Sequence, residues 1–248
     1  MKNQYFGDIN DYRKYGLIRI LSDGGIIRTG ICWMLTPDDT RTDGKFTEYL
    51  AKPEEYKKFD PDLYDFLGQC LRTDARDIKE VINSNKFSNT VFYDPILEDD
   101  AVKRKQYFSN MFKLFQDVDL IFFDPDNGLE IKSKSLGQKD SSKYLYWSEV
   151  VKSFEMGHSI LMYQHFIREN RDDFIASILQ EIHIKTGSKC IISFRTSNVV
   201  FFLVSQEKQN EYFLNKARIV SKSWDKQIQV SSLYTYPKFF RCLSFVIR

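Results

Sequence analysis

Asp124, Pro125, Asp126, Asn127 and Gly128 follow the apolar run "VDLIFF" (118–123). Three residues with side-chain oxygens around an imino acid could do one of two things there. As a turn, "DNG" would join "LIFF" to "LEIK" in a hairpin. As a site, the carboxylates could accept hydrogen bonds from a substrate or hold a hard cation. The chain carries its own control in "FDPDLYDFL" (59–67), where Asp60 caps a helix, Pro61 takes its first position and apolar spacing continues behind. That copy is structural. At Asp124 the Asn127-Gly128 pair interrupts any helix, and the place at the mouth of an apolar strand favours a site.

The elements that must position these residues follow from hydrophobic spacing. Apolar runs recur at 30–36, 90–93, 118–123, 159–163, 190–194 and 199–204 without the alternation of half-exposed strands. Between them lie helical spacings such as Tyr107, Met111, Phe115 and Phe174, Ile178, Ile182. Alternating strand and helix predicts an α/β fold, a mostly parallel sheet flanked by helices. The last two runs, separated only by "RTSN", are expected to close the sheet as an antiparallel hairpin. A helix at 11–21 precedes the first strand, and helical matter fills an insertion at 40–90. Residues 1–204 are expected to form the α/β domain. Residues 205–248 are expected to be an extension packed on it, with a helix near 211–218 and a strand at "LSFVI".

In such sheets ligands bind beyond the carboxyl ends of the parallel strands. The residues expected on that rim are Thr36, Asp38 and Asp39 after the first strand, Asp94 after the second, Asp124, Asp126 and Asn127 after the third, and Gln164, His165 and Arg168 after the fourth. His165 could act as a base or ligand, or simply be a hydrogen-bonded histidine under Phe166. Arg168 and Lys14 could meet phosphate. His158 and His183 are expected to be incidental, one opening a strand and the other ending a helix.

Composition bounds the rest. With 248 residues, 42% of them hydrophobic and 21 Phe, the chain can bury a large core. Cys32, Cys70, Cys190 and Cys242 show no metal or disulfide spacing. The start "MKNQYFGDIN" lacks a signal-peptide core and no run would span a membrane, so a cytoplasmic protein with no membrane partner is expected. Net charge is +2, but residues 185–248 carry 11 Lys+Arg against 3 Asp+Glu, interleaved with Phe213, Trp224, Tyr234, Tyr236, Phe239 and Phe240. That pattern suits a nucleic-acid partner contacted through the C-terminal region. It also suits a solvated face over buried aromatics.

Two motifs resemble a known family. Asp124-Pro125-Asp126-Asn127 after an apolar strand resembles the D-P-P-Y motif of S-adenosylmethionine-dependent nucleic-acid methyltransferases that modify base amines. "GDINDYRKYGLI" resembles the G-N-x-x-D-x-x-K opening of large-subunit ribosomal RNA adenine-N6 methyltransferases, with Gly7, Asp8, Asp11 and Lys14 in register. The resemblance implies a Rossmann-like methyltransferase-type sheet and S-adenosylmethionine as cofactor, with Thr36, Asp38, Asp39 and Asp94 on the cofactor side. It implies that Asp124 and the Pro125 carbonyl accept from the target amine, beside Asp126, Asn127 and His165. Asp8, Asp11, Lys14, Gln164 and Arg168 would then shape the substrate mouth. The chain departs from the family at two points: the turn after the first strand, "TPDDTRTDG", has no glycine before Gly44, and Asn127 stands where an aromatic is expected.

The rim's acids also suit a second chemistry. Asp38, Asp94, Asp124 and Asp126 could hold Mg²⁺ or Mn²⁺ for phosphodiester hydrolysis, and Glu130-x-Lys132 resembles the E-x-K of restriction-type nucleases. Unless the site is real, Glu130 and Lys132 are only exposed residues after a turn. A third possibility is a catalytically inactive nucleic-acid-binding module of the same fold.

Overall fold

A computed structural model describes residues 1–39, 46–234 and 245–246. In chain order the helices and strands are α1 (Ile9–Ser22), β1 (Thr29–Cys32), α2 (Pro53–Tyr56), α3 (Pro61–Arg72), α4 (Lys79–Asn83), β2 (Thr90–Tyr93), α5 (Ala101–Leu114), β3 (Leu120–Phe123), β4 (Gly128–Leu129), β5 (Tyr144–Leu145), α6 (Trp147–Glu155), β6 (Ser159–His165), α7 (Arg171–Thr186), β7 (Cys190–Arg195), β8 (Val199–Val204), α8 (Asn210–Ser223), β9 (Gln229–Tyr234) and β10 (Phe245–Val246). The main sheet has the order β10-β9-β7-β8-β6-β3-β1-β2. Strands β2, β1, β3 and β6 run parallel. β8 enters antiparallel between β6 and β7, so the expected closing hairpin is present. The result is a Rossmann-like α/β sheet, parallel on its N-terminal side.

The strands lack alternation because both faces are covered. Ile31, Phe122, Leu161, Ile192 and Phe201 face one core, shared with residues of α1, α3 and α8. Their strand neighbours Cys32, Ile121, Phe123, Met162 and Phe202 face the other, shared with α5, α6 and α7. Successive side chains alternate between two apolar layers, which leaves no polar face to write a period-two pattern.

The structure corrects several expectations. β1 ends at Cys32 rather than continuing to Thr36, because Met34 takes a left-handed φ of 45°. Only an isolated bridge, Leu35 to Ile96, prolongs the pairing with the β2 side. β6 extends through Gln164 and His165, which are therefore strand residues and not loop residues. Residues 229–234 form β9, which pairs with β7. Phe213 and Trp224 are core side chains, so they offer no stacking surface to a base. Trp224 fits only because Gly16 of α1 has no side chain: a Cβ there would lie 2.2 Å from the indole. Loop residues 40–45, Cys242, Tyr236, Phe239, Phe240 and most of "LSFVI" lie outside the described residues. Cys32, Cys70 and Cys190 are free and buried. Among the described residues no helix is long and apolar enough to cross a membrane.

Candidate functional site

The order of strands reverses at β1, which neighbours β2 on one side and β3 on the other. The crevice beyond the carboxyl ends of β1 and β3 is thus the topological switch point where this fold class binds ligands. Asp124 sits there, its N–H donating to the Cys32 carbonyl at 3.1 Å and so extending the β1–β3 ladder one residue past β3.

The first turn of α1 meets it. Asp8 caps the helix, accepting from the amides of Asn10 at 2.8 Å and Asp11 at 2.9 Å. The Gly7 amide donates to Asp11 Oδ2 at 2.9 Å. Lys14 Nζ then lies 2.6 Å from Asp11 Oδ1 and 2.7 Å from Asp124 Oδ2. One ammonium, only 2% exposed, joins motifs that lie 110 residues apart. The Tyr15 ring, 4.8 Å from Nζ, closes over it.

Burial acts on every charge in this cluster. Burial pulls Lys14 down, but Asp11 and Asp124 outweigh it and hold it well above the usual lysine range, so it stays an ammonium. Asp11 is raised, by burial first, with Lys14 pulling the other way and the Asp124 charge adding to the rise. Lys14 therefore keeps its charge while two acids share it. Asp8 is pushed up to about 8, again by burial first and then by the Asp11 charge.

That shift makes stability depend on pH. A carboxyl with a raised folded value contributes stability that is complete below its ordinary value of 3.8 and is lost as pH rises through about 8. Asp8→Asn keeps a capping oxygen and removes the titration. The melting temperature of Asp8→Asn relative to the parent is expected to climb from about pH 5 to about pH 9. Parallel melting curves across that range would contradict this reading of Asp8.

The rest of the motif is anchored separately. Thr36 Oγ1 donates to Asp126 Oδ2 at 2.6 Å, and the Met1 ammonium lies 2.6 Å from Asp126 Oδ1. Burial would raise Asp126, but the ammonium and Thr36 outweigh it and hold the carboxyl below its ordinary value. Asn127 donates from its amide to the Lys143 carbonyl at 2.9 Å and accepts from the His165 amide at 3.3 Å. The corner is not a hairpin: β4 pairs in parallel with β5, in a separate two-stranded sheet.

Gly128 allows this route. Its φ is +117°, and a Cβ would lie 2.3 Å from Gln164 Oε1. That oxygen accepts from the Leu129 amide at 2.7 Å while Gln164 Nε2 donates to the His165 carbonyl at 2.8 Å. Gln164 is thus a buried brace. Gly128→Ala is expected to cost about 1–3 kcal/mol in overpacking and about 1–3 kcal/mol in backbone strain. Calorimetric melting checks this, and adding Gln164→Ala should restore only the packing part.

A cavity of about 340 Å³ opens beside the cluster. Of the residues expected from sequence, Asp8, Asp11, Lys14, Asp124, Pro125, Asp126, Asn127 and His165 line it. Tyr5, Asn10, Phe46, Lys143 and Tyr163 also line it and were not expected. Tyr163 had a faint signal as the one phenol in an aliphatic strand; Phe46 had none. Asn10 Oδ1 is buried without a hydrogen-bond partner, an acceptor left for a ligand. His165 Nε2 lies 3.2 Å from the Tyr163 hydroxyl. Although His165 reaches solvent, the surrounding protein lowers its pKa through burial, against the pull of Asp124 and Asp126, and favours the neutral ring.

The remaining candidates do not line the cavity. Asp38 is exposed and accepts from the Gln4 amide at 3.0 Å. Asp39 pairs with Lys2. Asp94 and Arg168 are exposed, and Glu130 and Lys132 are absent from the lining. The expected convergence of Asp38 and Asp94 on Asp124 and Asp126 is not found, because β1 ends early and turns its loop towards Met1–Gln4. Among the described residues no group of three or more His, Cys, Asp or Glu is placed to hold a metal ion.

Fold and site together define a Rossmann-like α/β protein with an acid–lysine cluster at its switch point. No family model matches the chain, and neither the curated proteins nor the solved structures contain a match to it.

Proposed function

We propose that this protein acts on nucleic acid and takes a base bearing an exocyclic amine into the cavity beside Asp124. Its two motifs resemble those of enzymes that methylate such an amine. One observation carries the reading: the buried Lys14 ammonium binds Asp11 of the first motif to Asp124 of the second at the mouth of a cavity. At about 340 Å³ the space lies at the small end of the about 300–1,000 Å³ usual for small-molecule sites. It suits a single base withdrawn from its stack.

The lining matches that ligand. Tyr5, Phe46 and Tyr163 offer aromatic surface for a planar ring. Asp124 and the unpartnered Asn10 Oδ1 offer acceptors for amine N–H groups. Of the two Asp124 oxygens Lys14 engages Oδ2, and a carboxylate has acceptor capacity for more than one bond. Lys143, paired with Asp140, also lines the cavity.

The methyl donor that such a reaction needs, S-adenosylmethionine, does not fit the described residues as they stand. After β1 the chain carries the fully buried side chains of Trp33 and Met34 where a cofactor would need bare backbone. The Met1 nitrogen lies at the switch point itself, 3.0 Å from the Asp124 carbonyl and 3.4 Å from that of Met34. The Thr36 amide donates to the Met1 carbonyl at 2.9 Å. What the described residues support is recognition of the amine.

Thermal titration with S-adenosylmethionine, and separately with Mg²⁺ or Mn²⁺, tests the reading, combined with transfer of labelled methyl to single-stranded RNA and DNA. A ligand at a hundredfold excess over Kd adds ~2.7 kcal/mol to native stability. Binding of amino-bearing bases with no response to the sulfonium compound or to metal is the expected result for the described residues; stabilisation by the sulfonium compound with label in the nucleic acid would add methyl transfer. Stabilisation and strand cleavage with metal alone would replace methylation with phosphodiester hydrolysis. Failure of amino-bearing bases to bind the parent would overturn the reading.

A further inference from the structure

Beside the cavity runs a second groove, of about 500 Å³, floored by Gly68 and walled by Thr47, Leu71, Arg72 and Arg76. Successive residues line the two concavities, Phe46 the one and Thr47 the other. Gly7, next to the helix cap Asp8, presses on the Leu71 side chain, where a Cβ would meet the methyls at 3.0 Å.

The two arginines differ from most cations around them. Arg19, Lys57 and Lys86 are each paired with a carboxylate, and Lys57 neutralises Asp65, the acid in this groove. Among the described residues Arg72 bonds only the neutral Gln69 amide, at 2.8 Å, and neither arginine has an acidic partner. Arg76 Nη1 is buried with no acceptor at all. A buried donor left unmade is costly, and more so on a charged group. Two guanidinium groups lining one concave surface, neither with an acidic partner, offer N–H donors suited to a tetrahedral oxyanion.

We propose that Arg72 and Arg76 form a phosphate-binding site that holds a backbone phosphate of the nucleic acid whose base enters the neighbouring cavity. The nucleic-acid source rests on the function proposed above; the phosphate chemistry does not. Successive lining residues, Phe46 and Thr47, link groove and cavity, so that the groove would position the strand while the cavity selects the base.

The test compares the parent with Arg72→Gln/Arg76→Gln in binding short single-stranded oligonucleotides over a range of salt. For every phosphate that is no longer neutralised, the plot of log affinity against log salt should flatten by about 0.7. The double variant is therefore expected to bind more weakly at low salt and with a shallower slope, while adenosine, which has no phosphate, binds it as it binds the parent. Arg72→Lys/Arg76→Lys keeps the charge and should restore most of the slope. A second arm uses inorganic phosphate as stabiliser. If no oligonucleotide binds the parent, yet phosphate raises the melting temperature of the parent and not of the Gln variant, the phosphate site stands and the nucleic-acid reading falls. Unchanged slope together with an equal phosphate response in parent and variant overturns the proposal.

Discussion

Lys14→Met is expected to destabilise the fold by about 3–5 kcal/mol, the usual cost of breaking a buried ion pair by removing one partner. For a chain of 248 residues this corresponds to a fall of roughly 6–20 °C in melting temperature. The loss comes from the acids that the substitution strands. Asp11 and Asp124 are both about 3% exposed, and Lys14 is the cation that both contact. Without it each must stay charged in a low-dielectric site or take up a proton, and either route costs stability at neutral pH. Methionine fills similar space, so a cavity is not the reason. Adding Asp11→Asn and Asp124→Asn to Lys14→Met removes the stranded charges and should recover part of the loss. A variant that melts within a degree of the parent would mean that the cluster is neutral and the ion pair absent.

Asp124→Asn should behave in the opposite way, keeping the fold and losing the ligand. Lys14 retains Asp11 at 2.6 Å, so a charged pair survives, and the new amide still offers Lys14 an oxygen. The backbone bond from Asp124 to Cys32 does not involve the side chain. What disappears is an anionic acceptor for the amine. Hydrogen bonds to charged groups contribute ~1.5–3 kcal/mol, so affinity for an amino-bearing base should drop roughly 10- to 150-fold. Binding by calorimetry, with circular dichroism to check the fold, reads both halves. Loss of affinity only in proportion to loss of stability would return Asp124 to a purely architectural role.

Some of this was legible in the residues and some was not, for identifiable reasons. β8 matched its apolar run because a strand buried on both faces needs unbroken hydrophobicity, and β2 matched although it is a half-buried edge strand. The control motif behaved as expected, with Asp60 Oδ1 accepting from the Leu63 amide at 3.1 Å at the start of α3. β9 was missed because "QVSSLY" is half polar and carries no apolar run, although it pairs with β7 along its length. The α1 residues Asp8, Asp11 and Lys14 were legible as a motif, but their burial was not. Helical charges usually face water; these are buried where α1 packs on α3 and α8 and Lys14 meets Asp124 just past β3. The rim acids Asp38 and Asp94 were grouped by the rule that loops follow strands. That rule places residues at an edge without saying where each side chain points.

Recognition of an exocyclic amine through Asp124 is what the cavity must achieve if the proposed function is right. Its most direct test is the affinity of the parent protein for adenosine against purine riboside, which lacks only the amine, and for cytidine against its 4-deamino analogue. At least tenfold tighter binding of the amino member of one pair, with the difference abolished in Asp124→Asn, is the predicted result. Equal binding of both members of each pair by the parent would contradict it.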